Sequence, residues 1–403
     1  MRYFILIVIA SFTLGANAQV YKGELKEYQI KSSAFGKERK IVVYTPPSYR
    51  ESKDNYPVIY LFDGQFQALV DMTTGTMDYM SQMGLFLEHI VVGIVTEDRP
   101  KEFTPKPINK KTYKDWGEDR EIGMALILEN HLVNEVFPLV ESNYRTKPLR
   151  IGIGHSLGGT FVLNTVLNES NLFKGVIAIS PNVSFDYRQL VTTFDTFLSS
   201  KENLDKFIYV SAGTVGNMEN GFRKSMMKLD NVIKYHNPKG LVYNFEVYEN
   251  QNHSQTPVST LSKAFSEFYE IVSMPEDKIE IILNDDSKTL VSELKAHYKN
   301  LSSWLGYEVL PSSNEINGFG YSCVYEDKLL DAIKVFEWGN KLYPKEANLY
   351  DSKGEALEKQ GNVEAAKESY KMALQILERN KNDYSEDNYQ YYHKLFKKNY
   401  ERL

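Results

Sequence analysis

Six short apolar runs constrain this chain more than any other feature. PVIYLFDG, HIVVGIVTE, PLRIGIGHS, FKGVIAISP, KFIYVSAG and GLVYNFEVYE follow one another between residues 57 and 249. Each is a continuous apolar stretch, the pattern of a strand buried on both faces, and each breaks at its end into Gly, Asp, Ser or Asn. Longer amphipathic stretches such as GEDREIGMALILENHLVNEVFPLVESNY separate them. Buried strands alternating with helices predict an α/β fold with a mostly parallel central sheet and helices on both faces. Ahead of the first run, YQIKSSAFGKERKIVVYTPP reads as two further strands joined by a Gly turn and stopped at Pro46-Pro47. In such a sheet ligands sit at the carboxyl ends of the strands, where the polar breaks collect.

The strand signal ends at Met274-Pro275. KTLVSELKAHYKNLSSWLG then reads as a helical connector, and beyond it Gly320, Ala332 and Phe336 recur as Gly354, Ala366 and Tyr370. The offset of 34 residues, with Pro344 in the intervening YPKEANLY turn, is the tetratricopeptide period. The expected organisation is therefore an α/β domain over 19–275, a connector over 276–312, and a small all-α tetratricopeptide-like domain with a capping helix over 313–403. Two repeats are too few to bury their own face. Packing against the first domain and binding of a protein partner both remain open for them.

The first residues, MRYFILIVIASFTLGANAQV, carry Arg2, an apolar stretch from Tyr3 to Leu14 and a small-x-small site at Ala16-Asn17-Ala18. That is the pattern of a signal peptide over 1–18, so the mature chain is expected to be exported, to the periplasm or the medium. The apolar run is too short to span a bilayer. With 47 Lys and Arg against 53 Asp and Glu, the net charge of −6 argues against nucleic acid as a partner. The single Cys323 can form no internal disulfide and reads as a packing residue. The seven histidines are scattered outside any metal-ligand spacing, so neither metal nor cofactor is expected.

The chemistry centres on Gly154-His155-Ser156-Leu157-Gly158. A G-x-S-x-G between a β-branched run and the start of an amphipathic helix is the strand–turn–helix context of a nucleophile elbow. The glycines are read as sites where side chains would crowd the adjoining strand and helix. Gly152 and Gly154 lack the third glycine of a dinucleotide fingerprint, and no lysine follows to make a phosphate loop.

A serine needs a base to take its proton and an acid to orient that base. In this type of fold the chain order is Ser, acid, His. His89, His131 and His155 precede the serine; His297 and His393 fall in the helical region; His236 reads as a surface residue. That leaves His253, in the loop after the last strand. Glu219, in GTVGNMENG, is the first carboxylate after KFIYVSAG and the leading acid, with Asp230 and Asp186 as alternatives. The oxyanion requires two N–H donors. Leu157 supplies one, and Gln65, in the turn after PVIYLFDG, is the candidate for the other, with Asp63 read as a turn cap.

YPVIYLFDGQ, GHSLGG, GTVGNMEN and NHSQTP resemble, across residues 21 to 273, the putative-esterase family of α/β-hydrolases, which includes esterase D, enterochelin esterases, feruloyl esterases and mycolyltransferases. The resemblance implies a serine carboxylic-ester hydrolase, with Gln65, Ser156, Glu219 and His253 in the working positions. A small-molecule or carbohydrate-linked ester is the expected substrate, such as a siderophore lactone or an acylated sugar. Acyl transfer by the same residues, or an inactive hydrolase scaffold carrying the repeats, are the alternatives. Loop 97–119, with Arg99, Phe103, Tyr113 and Trp116, reads either as an anion-tolerant aromatic lid or as a solvated Pro-rich loop. Arg99, His155 and Trp116 are the candidate substrate-binding residues. Met72, Met77, Met80 and Met83 read as core packing.

Overall fold

The computed structural model describes residues 23–168 and 172–403. The leader expected over 1–18 lies outside the described residues. Among the described residues eight strands form one sheet: β1 (Glu24–Ser32), β2 (Lys37–Thr45), β3 (Tyr56–Phe62), β4 (Ile90–Ile94), β5 (Thr146–His155), β6 (Gly175–Ile179), β7 (Asn203–Val215) and β8 (Lys239–Asn252). Their spatial order is β1-β2-β4-β3-β5-β6-β7-β8. β1 pairs antiparallel with β2, and β2 with β4. From β4 to β8 every pairing is parallel. Each of the six apolar runs is a strand. β3, β4 and β6 are buried along their whole length, which is why they show no polar alternation.

The helices between strands are α1 (Gln67–Gln82), α2 (Arg99–Phe103), α3 (Lys110–Trp116), α4 (Ala125–His131), α5 (Phe137–Asn143), α6 (Leu157–Val166), α7 (Phe185–Ser199) and α8 (Asn217–His236), with α9 (Thr256–Val272) after β8. A π-helical turn, Leu132–Val136, joins α4 to α5. Two apolar layers flank the sheet. One holds Phe62, Phe103, Phe161 and Phe173; the other holds Ile59, Met77, Phe207 and Phe268. Met77 and Met80 are core residues as expected, whereas Met83 is exposed.

Beyond the sheet lie α10 (Glu276–Leu283), α11 (Leu290–Leu305), α12 (Ser313–Tyr325), α13 (Leu329–Leu342), α14 (Ala347–Lys359), α15 (Val363–Arg379) and α16 (Glu386–Arg402). Their core is continuous with that of the sheet, since Phe268, Leu294, Phe319 and Phe336 belong to one buried cluster. Trp304 Nε1 also donates to Gly240 O at 2.7 Å. The helices thus bury their apolar face on the α/β domain. A Cβ at Gly320 would lie 2.3 Å from the Phe336 ring, and one at Gly354 would lie 2.6 Å from the Tyr370 ring. The two glycines therefore do the same work at equivalent places, letting an aromatic ring seat against a helix backbone. Cys323 is buried in α12, where burial pushes its thiol up to about 12.

Candidate active site

Ser156 stands between β5 and α6 with φ 61° and ψ −118°, a conformation that costs a non-glycine residue on the order of 1–3 kcal/mol. The turn is held on both sides: Ser156 N donates to Ile179 O at 2.8 Å, and Thr160 N donates to Ser156 O at 3.0 Å. Gly154 is indispensable to it, because a Cβ there would lie 2.2 Å from the Gly158 carbonyl carbon. Gly158 differs from the expectation of crowding. A Cβ there would meet its nearest atoms, on Asp63, Phe103 and Phe62, at 3.4 to 3.6 Å, which is ordinary contact.

β7 and β8 are longer than their apolar cores, and this extension brings the next two residues together. Glu219 was expected on a loop, but β7 runs on to Val215 and the residue occupies the first turn of α8, where a helix N-terminus favours its charge. His253 follows β8 directly. His253 Nδ1 donates to Glu219 Oε2 at 2.6 Å; Gly213 N and Ser180 Oγ donate to Oε1 at 2.6 and 2.7 Å. Burial raises the Glu219 carboxyl, but the bonds from His253, Gly213 and Ser180 outweigh it and hold the group below its ordinary range. The carboxylate is 1 % exposed and ionised at neutral pH. A donating Nδ1–H leaves the neutral imidazole's Nε2 lone pair free to accept a proton. Neither Ser156 Oγ nor His253 Nε2 makes a hydrogen bond among the described residues, as is common before substrate aligns such groups.

The other acids are occupied elsewhere. Asp230 accepts from Lys234 and Tyr243, and Asp186 accepts from the Ile108 and Asn109 amides. His236 pairs with Asp195 on the surface at 2.7 Å.

Leu157 begins α6 and Gln65 sits in the turn after β3; among the described residues neither amide has a protein acceptor. Gly64 lets that turn pass the neighbouring strand, since a Cβ would come 2.6 Å from the Gly93 carbonyl carbon. The Gln65 side chain spans from Asp63 Oδ1 to Thr96 N, each at 2.9 Å. Arg99 does not stand free in the site: Nε and Nη2 grip the two Asp63 oxygens at 2.8 and 3.0 Å, and Nη2 also donates to His155 O at 3.1 Å. Sequence reading missed this ion pair, because Asp63 and Arg99 are 36 residues apart with no local pattern linking them. His155 turns its ring toward His253 rather than to open solvent, with centroids 4.4 Å apart. Burial, with a further contribution from His253, pushes its pKa down to about 4, so it is neutral at pH 7.

Loop 97–119 is ordered into α2 and α3. Glu102 forms a buried ion pair with Arg39, and Phe103 packs edge-on to Phe62. Of its five lysines, Lys106, Lys110, Lys111 and Lys114 are exposed, and Lys101 is half-buried and paired with Glu121. Trp116 packs edge-to-face on Phe185 at 5.7 Å, at the start of α7, and is half-buried. Among the described residues no cluster of His, Cys, Asp and Glu could hold a metal ion, and no helix is long and apolar enough to cross a membrane.

Strand order and elbow together make this chain an α/β-hydrolase. Within that class, residues 32–233 match the family described as "Putative esterase", and the chain belongs to that family; it is a serine esterase. Ferri-bacillibactin esterase BesA of Bacillus subtilis is 28% identical over 186 residues, covering 43% of this chain and 64% of that protein. An IroE-like serine hydrolase from Shewanella oneidensis shares the fold with a TM-score of 0.67 at 19% identity, over 79% of this chain and 100% of that one. An uncharacterised protein from Capnocytophaga ochracea does so with a TM-score of 0.68 at 16% identity, over 87% of this chain and 94% of its own. That share is too large for the sheet domain alone, so the likeness extends into the C-terminal helices.

Proposed function

We infer that the chain hydrolyses a carboxylic ester through an acyl-enzyme, with Ser156 as nucleophile, His253 as base and Glu219 as the acid that fixes the base. The observation that carries this reading is the Glu219–His253 bond at 2.6 Å, made by an imidazole whose ring lies against the residue preceding the serine. His253 Nε2 takes the Ser156 proton as Oγ attacks the ester carbonyl, then returns it to the leaving alkoxide. The oxyanion is met by the Leu157 and Gln65 amides, which have no other acceptor among the described residues. Water then attacks the acyl-enzyme by the same proton path in reverse.

The substrate class we favour is a siderophore lactone, on the strength of the BesA relationship. An acylated sugar is the second choice. The C-terminal helices are read as a tetratricopeptide-like pair supported by the equivalent Gly320–Phe336 and Gly354–Tyr370 seats. Residues 1–18 are proposed to be an export signal, which N-terminal sequencing of the mature protein tests.

The decisive experiment is hydrolysis of p-nitrophenyl acetate by wild type, Ser156→Ala and His253→Ala. Each substitution should lower turnover by about 10⁴-fold or more. A fluorophosphonate probe should label one serine, mapped to the Ser156 peptide. Wild type no faster than Ser156→Ala would leave only a scaffold.

A further inference from the structure

The geometry points to His155 as a positioning residue for the base: its imidazole holds the main chain of His253, while its own carbonyl is held by Arg99. The inference rests on the reading of Ser156 and His253 as nucleophile and base. It assigns His155 to the base loop rather than to substrate binding.

The contact is between His155 Nε2 and His253 O, at 2.9 Å. A carbonyl oxygen can only accept, so Nε2 carries the proton and the tautomer of His155 is fixed. The His253 carbonyl depends on this donor for a reason visible in the chain. Four residues on, where α9 begins, the helical donor to that carbonyl would be the amide of residue 257, and residue 257 is proline. Thr256 Oγ1 reaches the same oxygen at 3.1 Å, but it also lies 2.8 Å from Ser180 Oγ. The Ser180 hydroxyl gives its own proton to Glu219, so the single Thr256 proton is shared between two acceptors. Among the described residues, His155 is thus the side chain with a proton dedicated to the His253 carbonyl. The two rings also lie against each other with planes 35° apart, and Phe222 meets the His253 ring edge-to-face at 5.5 Å.

The other end of His155 completes the strap. Its carbonyl accepts from Arg99, Arg99 grips Asp63, and Asp63 accepts from the Gln65 side chain. The turn bearing one oxyanion donor, the residue before the nucleophile and the loop bearing the base are therefore linked through one residue. These partners are 98 and 56 positions from His155 in the chain. Burial lowers the His155 pKa, which keeps the ring neutral and its single donor pointed one way through the neutral range.

The test compares His155→Phe, which keeps a ring but loses the donor, with His155→Gln, whose amide can reach the same carbonyl. Steady-state hydrolysis of p-nitrophenyl acetate is measured for both, with thermal unfolding midpoints. We expect the Phe variant to lose roughly 10- to 100-fold in kcat with KM within about threefold, as a base displaced by a fraction of an ångström would. The Gln variant should recover to within about threefold of wild type. In proton NMR, the far-downfield signal of the His253 Nδ1–H bond should broaden in the Phe variant and persist in the Gln variant. A Phe variant with wild-type kcat overturns the assignment, as does a folded Gln variant as slow as Phe. A raised KM with unchanged kcat also overturns it, placing His155 on the substrate. If the Phe variant does not fold, His155→Asn replaces it, being too short to reach; Asn as fast as Gln then overturns the assignment. Failure here leaves His253→Ala inactive against an active wild type, whereas failure of the underlying reading leaves wild type no faster than Ser156→Ala.

Discussion

Replacing Glu219 by glutamine should slow the enzyme more than loss of a charge alone, because the two carboxylate oxygens serve different partners. Oε1 accepts from Gly213 N and Ser180 Oγ, at 2.6 and 2.7 Å, and Oε2 accepts from His253 Nδ1 at 2.6 Å. Glutamine keeps the shape but turns one end into a donor. With its oxygen at the Oε1 position it keeps both bonds there. Flipped, it presents an NH₂ to a buried backbone N–H and strands it, at a cost of roughly 1–3 kcal/mol for each bond lost. The amide is therefore pinned with its NH₂ facing His253. Nδ1 must then accept, the ring proton moves to Nε2, and in the proposed mechanism His253 can no longer take the Ser156 proton. In the serine-protease triad the wrong tautomer lowers kcat by about 10⁴. We expect a loss of roughly 10³- to 10⁴-fold here, smaller than that from losing Ser156 or His253, with KM little changed. Glu219→Ala imposes no tautomer and should lose less, about 10²-fold. The assay is kcat on p-nitrophenyl acetate above the Ser156→Ala background, with unfolding midpoints for both variants. Glutamine within about threefold of wild type would move the acid role elsewhere, and folded alanine tenfold slower than glutamine would refute the tautomer argument.

Gly154→Ala should fail where Gly158→Ala succeeds. The first drives a Cβ to 2.2 Å from backbone and should cost roughly 3 kcal/mol or more, while the second meets ordinary contacts and should stay within about 1 kcal/mol in urea unfolding. Equal losses would contradict the elbow packing. Stability should also fall on acidification through His89, which is fully buried, with burial pushing its pKa down to about 3. Below pH 6.5 the unfolded chain binds a proton that the folded chain refuses, so stability present above pH 6.5 is lost as pH falls toward 3, by roughly 3–5 kcal/mol in all. His89→Leu should flatten the slope of urea stability between pH 6.5 and 4; an unchanged slope would exclude His89 as the cause.

Much of this molecule is local and therefore legible in the chain. β3, β4 and β6 announce themselves because a strand covered on both faces has no polar side to show. The elbow is legible because its strain falls on a few adjacent positions that only small residues tolerate, although geometry makes Gly154 strict and Gly158 lenient. Chain order singled out Glu219 and His253 as candidates without revealing that strand extension would seat Glu219 on a helix turn.

The order of elements, the sites of tight backbone and the residue types able to carry acyl chemistry belong to the linear sequence, since each depends on neighbours a few positions away. The pairing of Arg99 with Asp63, the hold of His155 on His253 and the commitment of each Glu219 oxygen arise only in three dimensions. Those bonds form between side chains that sequence separates and sheet packing brings together, and their worth is set by burial that no short window of residues can express.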